Sequence, residues 1–567
     1  MIFYDFEVFE QDWLVVALDM KNQSEHVIVN DKAKLETFYK QHVNDIWVGF
    51  NSRHYDQWIL KGILADFNPK KINDFIIQED QPGWKFSNLL RKFPLNNYDV
   101  MSGIDRGLKV FEGFMGNSIK ESSVPFDIKN KLTPAQIEET IEYCRHDVEQ
   151  TVEVFLERKS DFDAQMGLIE MFNLPLAAIS KTKVQLAAEI LEAEKHEYSD
   201  EFEISIPPTL QIEKYKEVVD WYMNPENRRY EDEDGKKKQL QIEVAGVPHV
   251  FGWGGVHGAR EQYEGEGYYL NMDVASLYPS LMIQYNLHSR SCNPGKFNDI
   301  VRTRLQYKAE KNPMQAPLKI VINGTYGAMK DKNNPLYDPR QANNVCVYGQ
   351  LLLLDLIEQL EPYCEIIQSN TDGILIKMRH YDDYDLIDDI VYEWEQRTRL
   401  NMEFDEYRKV FQKDVNNYVI VDAEGKHKSK GAYVKKLSRL DYDLPIVNKA
   451  MVDFMTKGIP VEKTILGCDD LKEFQQIKKI SRKYDCIMHG SICLKEKCVR
   501  VFASKNKWHA GLIKIHSATQ RPAKIESTPE HAFLYNGNVE GIKCPETLDK
   551  QWYIDMARER LQAFGVL

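Results

Sequence analysis

Residues 267–283 read GYYLNMDVASLYPSLMI, an apolar run of strand character with an acid at its far end and then Ser276, Leu277, Tyr278 and Pro279. Proline removes a backbone donor and fixes φ, so it is barred from a central strand but tolerated in the first turn of a helix. The run therefore reads as a buried strand that ends at Asp273 and turns into a helix. A carboxylate at such a boundary is held by the core behind it and still reaches solvent. A second acid has a similar setting: EIIQSNTDGILIKM reads as two strands around a turn at Asp372 and Gly373.

A separate acidic set lies near the N-terminus. Asp5 and Glu7 are two apart in the strand-like run IFYDFEVF, so both project from one face. Asn51, Tyr55 and Asp56 follow in VGFNSRHYD, and Tyr143 and Asp147 are four apart in the helical IEYCRHD, hence on one helix face. Four acids can thus converge. Hard oxygen ligands grouped in this way are what two Mg²⁺ ions need for phosphodiester hydrolysis.

A chain of 567 residues is too long for one core, and three to five domains or subdomains are expected. Residues 1–160 alternate short strands with helices, as an α/β domain does; 161–245 read mainly helical and end in the charged hairpin or loop ENRRYEDEDGKKKQ. Strands return over 246–300, and a basic helical hairpin runs from about 300 to 332, broken at Asn312 and Pro313. Helices over 341–361 and 383–399 and the hairpin NYVIVDAEGKHKSKGAYV follow; beyond about 460 the pattern is mixed.

The net charge of −14 opposes binding to a polyanion, so local clusters must decide. Lys426, Lys428, Lys430, Lys435, Lys436 and Arg439 form one; Arg302, Arg304, Lys308, Lys311 and Lys319 form another. No apolar run approaches the ~18 residues of a membrane span, and the acidic N-terminus is unlike a signal peptide, so a cytoplasmic protein with no membrane partner is expected. Nine scattered cysteines fit free thiols in a reducing compartment. Cys486, Cys493 and Cys498 with His489 form the one local group; their spacing lacks the paired CxxC of a zinc ribbon, and a strand and turn accounts for it better than a metal site.

In their order, Asp-x-Glu, Asn-x-x-x-aromatic-Asp, Tyr-x-x-x-Asp, the Asp273 run, LKIVINGTYGAMK, QSNTDG and KHKSKGAYVKK resemble the motifs of family B DNA polymerases with a DnaQ-like 3′→5′ exonuclease domain, over roughly residues 1–440. The resemblance implies an α/β and α+β multidomain protein: an RNase H-like exonuclease domain (1–160), a connecting region (161–245), a palm (246–300 and 341–460) interrupted by short fingers (301–340), and a thumb (461–567). It implies that Asp5, Glu7, Asp56 and Asp147 bind metal, that Tyr143 orients the attacking water, and that Asn51 and Lys120 contact DNA, Lys120 near the scissile phosphate. Asp273 and Asp372 become the polymerase metal ligands, assisted by the Val274 carbonyl. Tyr278 becomes a steric gate against ribose, a discrimination by exclusion. Lys319, with Arg304 and Lys308, would hold the triphosphate; Asn323 and Tyr326 would flank the nascent pair. Lys430 and Tyr433 would hold the primer strand, and Gly254 and Gly255 of FGWGGVHGA would let backbone approach the template.

The implied cofactor is Mg²⁺, two ions per site, with Mn²⁺ able to substitute; the implied partners are a DNA primer-template, deoxynucleoside triphosphates and replication accessory proteins, and the chain is expected to act as a monomer. Four positions depart from the family pattern: Asn370 where the first Asp of motif C is usual, Gly373 where Ser is usual, Gly324 where many relatives have Ser, and Gly252 where Tyr is expected. Losing one acid at Asn370 is expected to alter metal preference or fidelity. Only 46 positions separate Asp273 from Lys319, too few for the template-encircling insertion of protein-primed phage polymerases, so limited strand displacement is expected. The compact length is that of a bacteriophage or mobile-element enzyme, working in a bacterial host's cytoplasm. The alternative is a polymerase-fold protein acting mainly as an exonuclease or a DNA-binding factor, and the template, DNA or RNA, stays open.

Overall fold

A computed structural model of the chain describes all residues except 104, 105 and 495. They form two compact units: Met1–Thr182, Leu437–Ile446 and Cys468–Tyr553 make the first, and Lys183–Lys436, Val447–Gly467 and Ile554–Leu567 the second.

The first unit is built on a five-stranded sheet of β1 (Ile2–Val8), β2 (Trp13–Asp19), β3 (Ser24–Val29), β4 (Ile46–Gly49) and β5 (Asn96–Asp99), in the order β3-β2-β1-β4-β5. The first three strands are antiparallel, whereas β4 runs parallel to β1 and β5 to β4. Strand β1 is central and buried along its length except at Asp5, which is half-buried. Fully buried Tyr4 and Trp47 meet edge-on at 5.2 Å, a favoured aromatic geometry. The helix Pro134–Glu157 packs on β1 and β2. Thr133 and Gln136 form a capping box at its start, with Pro134 in the first turn; such a cap contributes about 1 kcal/mol.

The second unit carries a nine-stranded, wholly antiparallel sheet. Its strands are β6 (Gln239–Val244), β7 (Val247–Gly252), β8 (His257–Ala259), β9 (Tyr263–Val274), β10 (Cys364–Ser369), β11 (Gly373–Met378), β12 (Met402–Asp414), β13 (Asn417–Val421) and β14 (His427–Lys430). The order is β14-β13-β12-β9-β11-β10-β8-β7-β6, so the strand bearing Asp273 lies near the middle, beside the one that begins at Gly373. The basic hairpin is formed by the helices Pro294–Ala309 and Gln315–Met329, and the helix Pro339–Leu360 is buried along most of its length. The region read as mainly helical contains Lys159–Met171, Lys183–Ile190 and Lys216–Met223. Lys183–Ile190 packs on Gln315–Met329, and a Cβ at Gly324 would lie 3.1 Å from the Lys183 carbonyl, a physical reason for glycine there.

The C-terminal strands belong to the first unit: β15 (Gln476–Lys479), β16 (Tyr484–His489), β17 (Ile492–Leu494), β18 (Cys498–Ala503), β19 (Leu512–His516), β20 (Pro522–Lys524) and β21 (Ala532–Leu534), in sheets β15-β18-β21 and β17-β16-β19-β20. Here one expectation is overturned. Cys486 and Cys493 are not free thiols but a disulfide, with Cα atoms 5.9 Å apart, because they stand on neighbouring antiparallel strands. Cys498 is a buried free thiol, and His489 bonds to the Ala532 carbonyl at 2.9 Å, so these four do not form a metal site. No helix among the described residues is long and apolar enough to cross a membrane.

Candidate active sites

Asp5, Glu7, Asn51, Tyr55, Asp56 and Asp147 line one cleft of about 700 Å³ in the first unit. The two-residue strand spacing puts Asp5 and Glu7 on the same face of β1, as expected. Asp56 opens the helix Asp56–Leu64 and accepts a bond from the Phe6 backbone N–H at 3.1 Å, which ties that helix to β1. Asn51 has a left-handed backbone, φ +62°, and its N–H donates to Asp99 at 2.9 Å. Tyr143 and Asp147 share a face of Pro134–Glu157, and burial raises the Tyr143 phenol, with Asp147 and Glu7 adding to the effect.

Glu7, Asp56 and Asp147 are each less than a tenth exposed. Burial, then the neighbouring carboxylates, pushes Asp5 and Glu7 well above the usual carboxyl range, and Asp56 is raised to about 7, chiefly by burial. Like charges crowded out of water keep their protons unless a cation replaces them, so this donor set fits hard divalent ions. The ammonium that reaches the cluster is that of Lys109, on the helix Leu108–Met115. It bonds to Asp147, lies 3.1 Å from Glu112 and sits 4.5 Å from the Tyr143 ring centre. Burial works against its charge, but Asp147 and Glu112 outweigh that and hold it above an ordinary lysine. Lys120, the expected basic residue, contributes a backbone N–H to Glu112 at 3.2 Å and has an exposed side chain. Sequence reasoning missed Lys109, fully buried Glu112 and the loop-pinning Asp99; only the i, i+3 spacing of Lys109 and Glu112 hinted at a pair.

In the second unit Ser276, Tyr278, Arg304, Lys319, Asn323, Tyr326 and Asp372 line a pocket of about 450 Å³. Residues up to about 100 positions apart are gathered there by the Asp273 strand-to-helix turn, the basic hairpin and the β10–β11 turn. Ser276 turns the chain with φ +51° before the helix Leu277–Gln284. The Tyr278 and Tyr326 rings lie 4.4 Å apart, and the Tyr326 hydroxyl meets the Cys346 sulfur at 2.6 Å, so the Tyr278 ring is backed by a second ring held in place. Lys308 does not line this pocket; its ammonium is exposed, 3.6 Å from Glu403.

Asp273 accepts a bond from the Asn271 amide at 2.7 Å, and the Val274 N–H donates to the Asp372 carbonyl at 2.7 Å. That second bond holds the two acid-bearing segments side by side. Burial raises the Asp273 carboxyl, Asn271 opposes this, and the Asp372 charge adds to it, again the electrostatics of a cation site. Glu403 is the cross-strand partner of Asp273 on β12, a further acid that the sequence did not reveal. Lys430 ends β14, paired with Tyr418. The Tyr433 ring carries the Arg560 guanidinium at 4.2 Å.

No family model matches the chain. It is similar to DNA polymerase 1 of Aeropyrum pernix, with 25% identity over 280 residues, 42% of this chain and 28% of the relative. It is also similar to DNA polymerase 1 of Sulfolobus acidocaldarius, with 29% identity over 126 residues, 22% of this chain and 14% of the relative. Among solved structures, that of the family B DNA polymerase from Pyrobaculum calidifontis aligns with 100% of this chain and 77% of that one, at a TM-score of 0.42 and 14% identity. The sequence resemblance is to DNA polymerases of the DNA polymerase 1 type. The chain spans less than a third of the length of the curated relatives it matches.

The positions read above as departures make specific local contacts. Gly373 faces Asp273 across the β9–β11 ladder, and a Cβ there would come 2.0 Å from Asp273 Oδ1. The turn itself is Asn370-Thr371-Asp372, one residue earlier than the sequence implied, with the Asn370 N–H donating to the Gly373 carbonyl at 2.8 Å. Asn370 bonds its own turn through Oδ1 to the Thr371 N–H at 2.9 Å. A Cβ at Gly255 would lie 2.4 Å from Thr371 Oγ1, so this glycine admits the turn; at Gly254 nothing lies within 4 Å. The Gly252 and Gly254 carbonyls are held by the buried Gln350 amide at 2.8 and 2.7 Å.

Proposed function

We propose that the chain synthesises DNA on a template and removes mispaired 3′ ends, using the acids of the second unit for synthesis and those of the first for 3′→5′ hydrolysis, in replication of a phage or mobile-element genome. The observation that carries this reading is the presence of two separate carboxylate sites, one in each unit, each beside cationic and tyrosyl groups suited to its task. Two Mg²⁺ ions, or Mn²⁺ in their place, would be held at each site and would lower the pKa of the attacking hydroxyl and neutralise the leaving oxygen. Asp273 and Asp372, with the Val274 carbonyl, would hold them in the second unit, and Asp5, Glu7, Asp56 and Asp147 would do so in the first.

In synthesis the primer 3′-hydroxyl attacks the α-phosphorus, the new P–O bond forms, and pyrophosphate leaves with the electron pair of the broken one. Lys319 and Arg304 bind the triphosphate and offset charge growing on the pyrophosphate. Tyr278, backed by Tyr326, leaves no room for a 2′-hydroxyl, and Asn323 lies beside the nascent pair. Lys430 neutralises primer phosphate, with Tyr433 beside it. In hydrolysis Tyr143 orients water toward the terminal phosphodiester, and Lys109 fixes the Asp147 carboxylate.

The test is gel-resolved extension and degradation of a labelled DNA primer-template in Mg²⁺ by the parent, Asp372→Ala and Asp5→Ala. Asp372→Ala should lose extension by at least about 10³-fold and keep degradation, and Asp5→Ala should do the reverse. A parent that degrades but extends nothing would leave an exonuclease of polymerase fold.

A further inference from the structure

Between Gln476 and Lys524 twelve Lys and Arg residues stand against two acids, in a chain of net charge −14. This stretch, β15 to β20, lies in the same compact unit as the Asp5 cluster. Buried polar contacts fasten it there. The fully buried Arg500 donates to the Gly113 and Asn117 carbonyls at 3.2 and 2.7 Å. The Glu121 carboxylate accepts from the Lys497 and Cys498 N–H groups at 3.0 and 2.8 Å.

The turn between β15 and β16 is thereby held at a set position, and it carries Arg482, which lines the same cleft as Asp5, Glu7, Asp56 and Asp147. The Arg482 side chain is exposed, and among the described residues no carboxylate pairs with it. Two other groups on the cleft suit the same ligand. Lys129 is exposed, with its carbonyl pinned by the Gln11 amide at 2.7 Å. The Phe126 ring is 46% exposed yet stacked on buried Phe9 at 5.2 Å and 17°, so one rigid aromatic face is offered to solvent. Lys70 also lines the cleft but is engaged by Asp74, with Glu10 3.9 Å away, and Glu10 and Asp127 add two acids to the lining.

A cleft floored by four carboxylates repels a polyanion, so a nucleic-acid strand needs cations at its entrance. A guanidinium binds phosphate in bidentate fashion, and an exposed ring stacks on an unpaired base whatever its identity. We propose that Arg482, Lys129 and Phe126 form the subsite that holds the backbone and a base of a single DNA strand entering the Asp5 cleft. The basic C-terminal segment is then a substrate-binding part of the exonuclease, supplied from more than 300 residues away in the chain. This rests on the exonuclease reading of the first unit.

The test compares the parent, Arg482→Ala and Arg482→Lys in degradation of a labelled single-stranded DNA over a range of salt, with primer extension as the control. Arg482→Ala should raise KM about tenfold and change kcat by less than about twofold. It should also flatten the slope of log KM against log salt by about 0.7, the share of one single-strand phosphate contact. Arg482→Lys should recover part of the KM and the full salt slope, because it keeps the charge and loses the fork. Thermal unfolding and extension should stay at the parent's values.

An unchanged KM and salt slope in an active parent would overturn the subsite and leave the exonuclease standing. An equal loss of extension and degradation would overturn it too, since the segment would then serve both reactions. If the parent degrades nothing, the exonuclease reading itself fails. Anisotropy of a labelled single strand in EDTA then decides the subsite independently: equal affinity of parent and Arg482→Ala sinks it, and about tenfold weaker binding upholds it.

Discussion

Gly373 shows how one missing side chain serves a site built from acids. Its Cα faces Asp273, and any Cβ would have to displace a carboxylate oxygen from 2.0 Å away. The strand ladder leaves little slack, because the Val274 N–H already binds the Asp372 carbonyl and the Asn271 amide already binds Asp273. Gly373→Ser should therefore push Asp273 out of register with Asp372 and lower kcat for extension about 10²-fold, the cost of roughly 1 Å of misplacement. Degradation should be unaffected, since that site lies in the other unit. Rapid-quench single turnover would check it, and parent-like extension would mean that the strand pair yields more easily than its hydrogen bonds imply.

At the scale of elements, the helix Leu108–Met115 is held at its end by a buried cation whose hydrogen-bond partners among the described residues are neutral. Arg500 is fully buried, and its partners are the carbonyls of Gly113, Asn117, Tyr535 and Gly537 and the Gln475 side chain. Burial brings its pKa down to about 10. Arg500→Met would leave these acceptors dry and unpaired, at about 2–4 kcal/mol of stability. Lys109 rides on the same helix, so degradation should fall as well while extension is kept. Chemical denaturation followed by circular dichroism, with both activities measured in parallel, tests the pair of outcomes.

For the molecule as a whole, the buried acids make stability depend on pH and on divalent ions together. Asp56 is raised to about 7, and Asp5 and Glu7 are raised as well, so without metal the native cluster keeps protons that an unfolded chain releases near pH 4. The native state then binds more protons than the unfolded one, and stability falls as pH rises from about 4 to 7, by roughly 4 kcal/mol from Asp56. In EDTA the melting temperature should therefore drop between pH 5.5 and 7.5, and Mg²⁺ should restore more of it at the higher pH. Asp56→Asn should flatten the EDTA profile. Calorimetry checks both, and a parent more stable at pH 7.5 than at 5.5 in EDTA would refute the electrostatic account.

The sequence by itself determined the local elements that carry chemistry. Strand alternation set Asp5 and Glu7 on one face, helical spacing aligned Tyr143 with Asp147, and Pro279 marked the first turn of the helix after the Asp273 strand, because each depends on periods of two or 3.6 residues or on a single backbone constraint. Only the tertiary structure decided what meets across the chain. The register that sets Gly373 and Glu403 against Asp273, the pairing of Cys486 with Cys493, and the seating of the Lys109 ammonium on Asp147 follow from strand pairing and helix packing that no local period encodes. The basic C-terminal strands likewise look in sequence like any solvated charged surface. Arg482 acquires a site because long-range burial of Arg500 and Glu121 brings its turn to the acidic cleft.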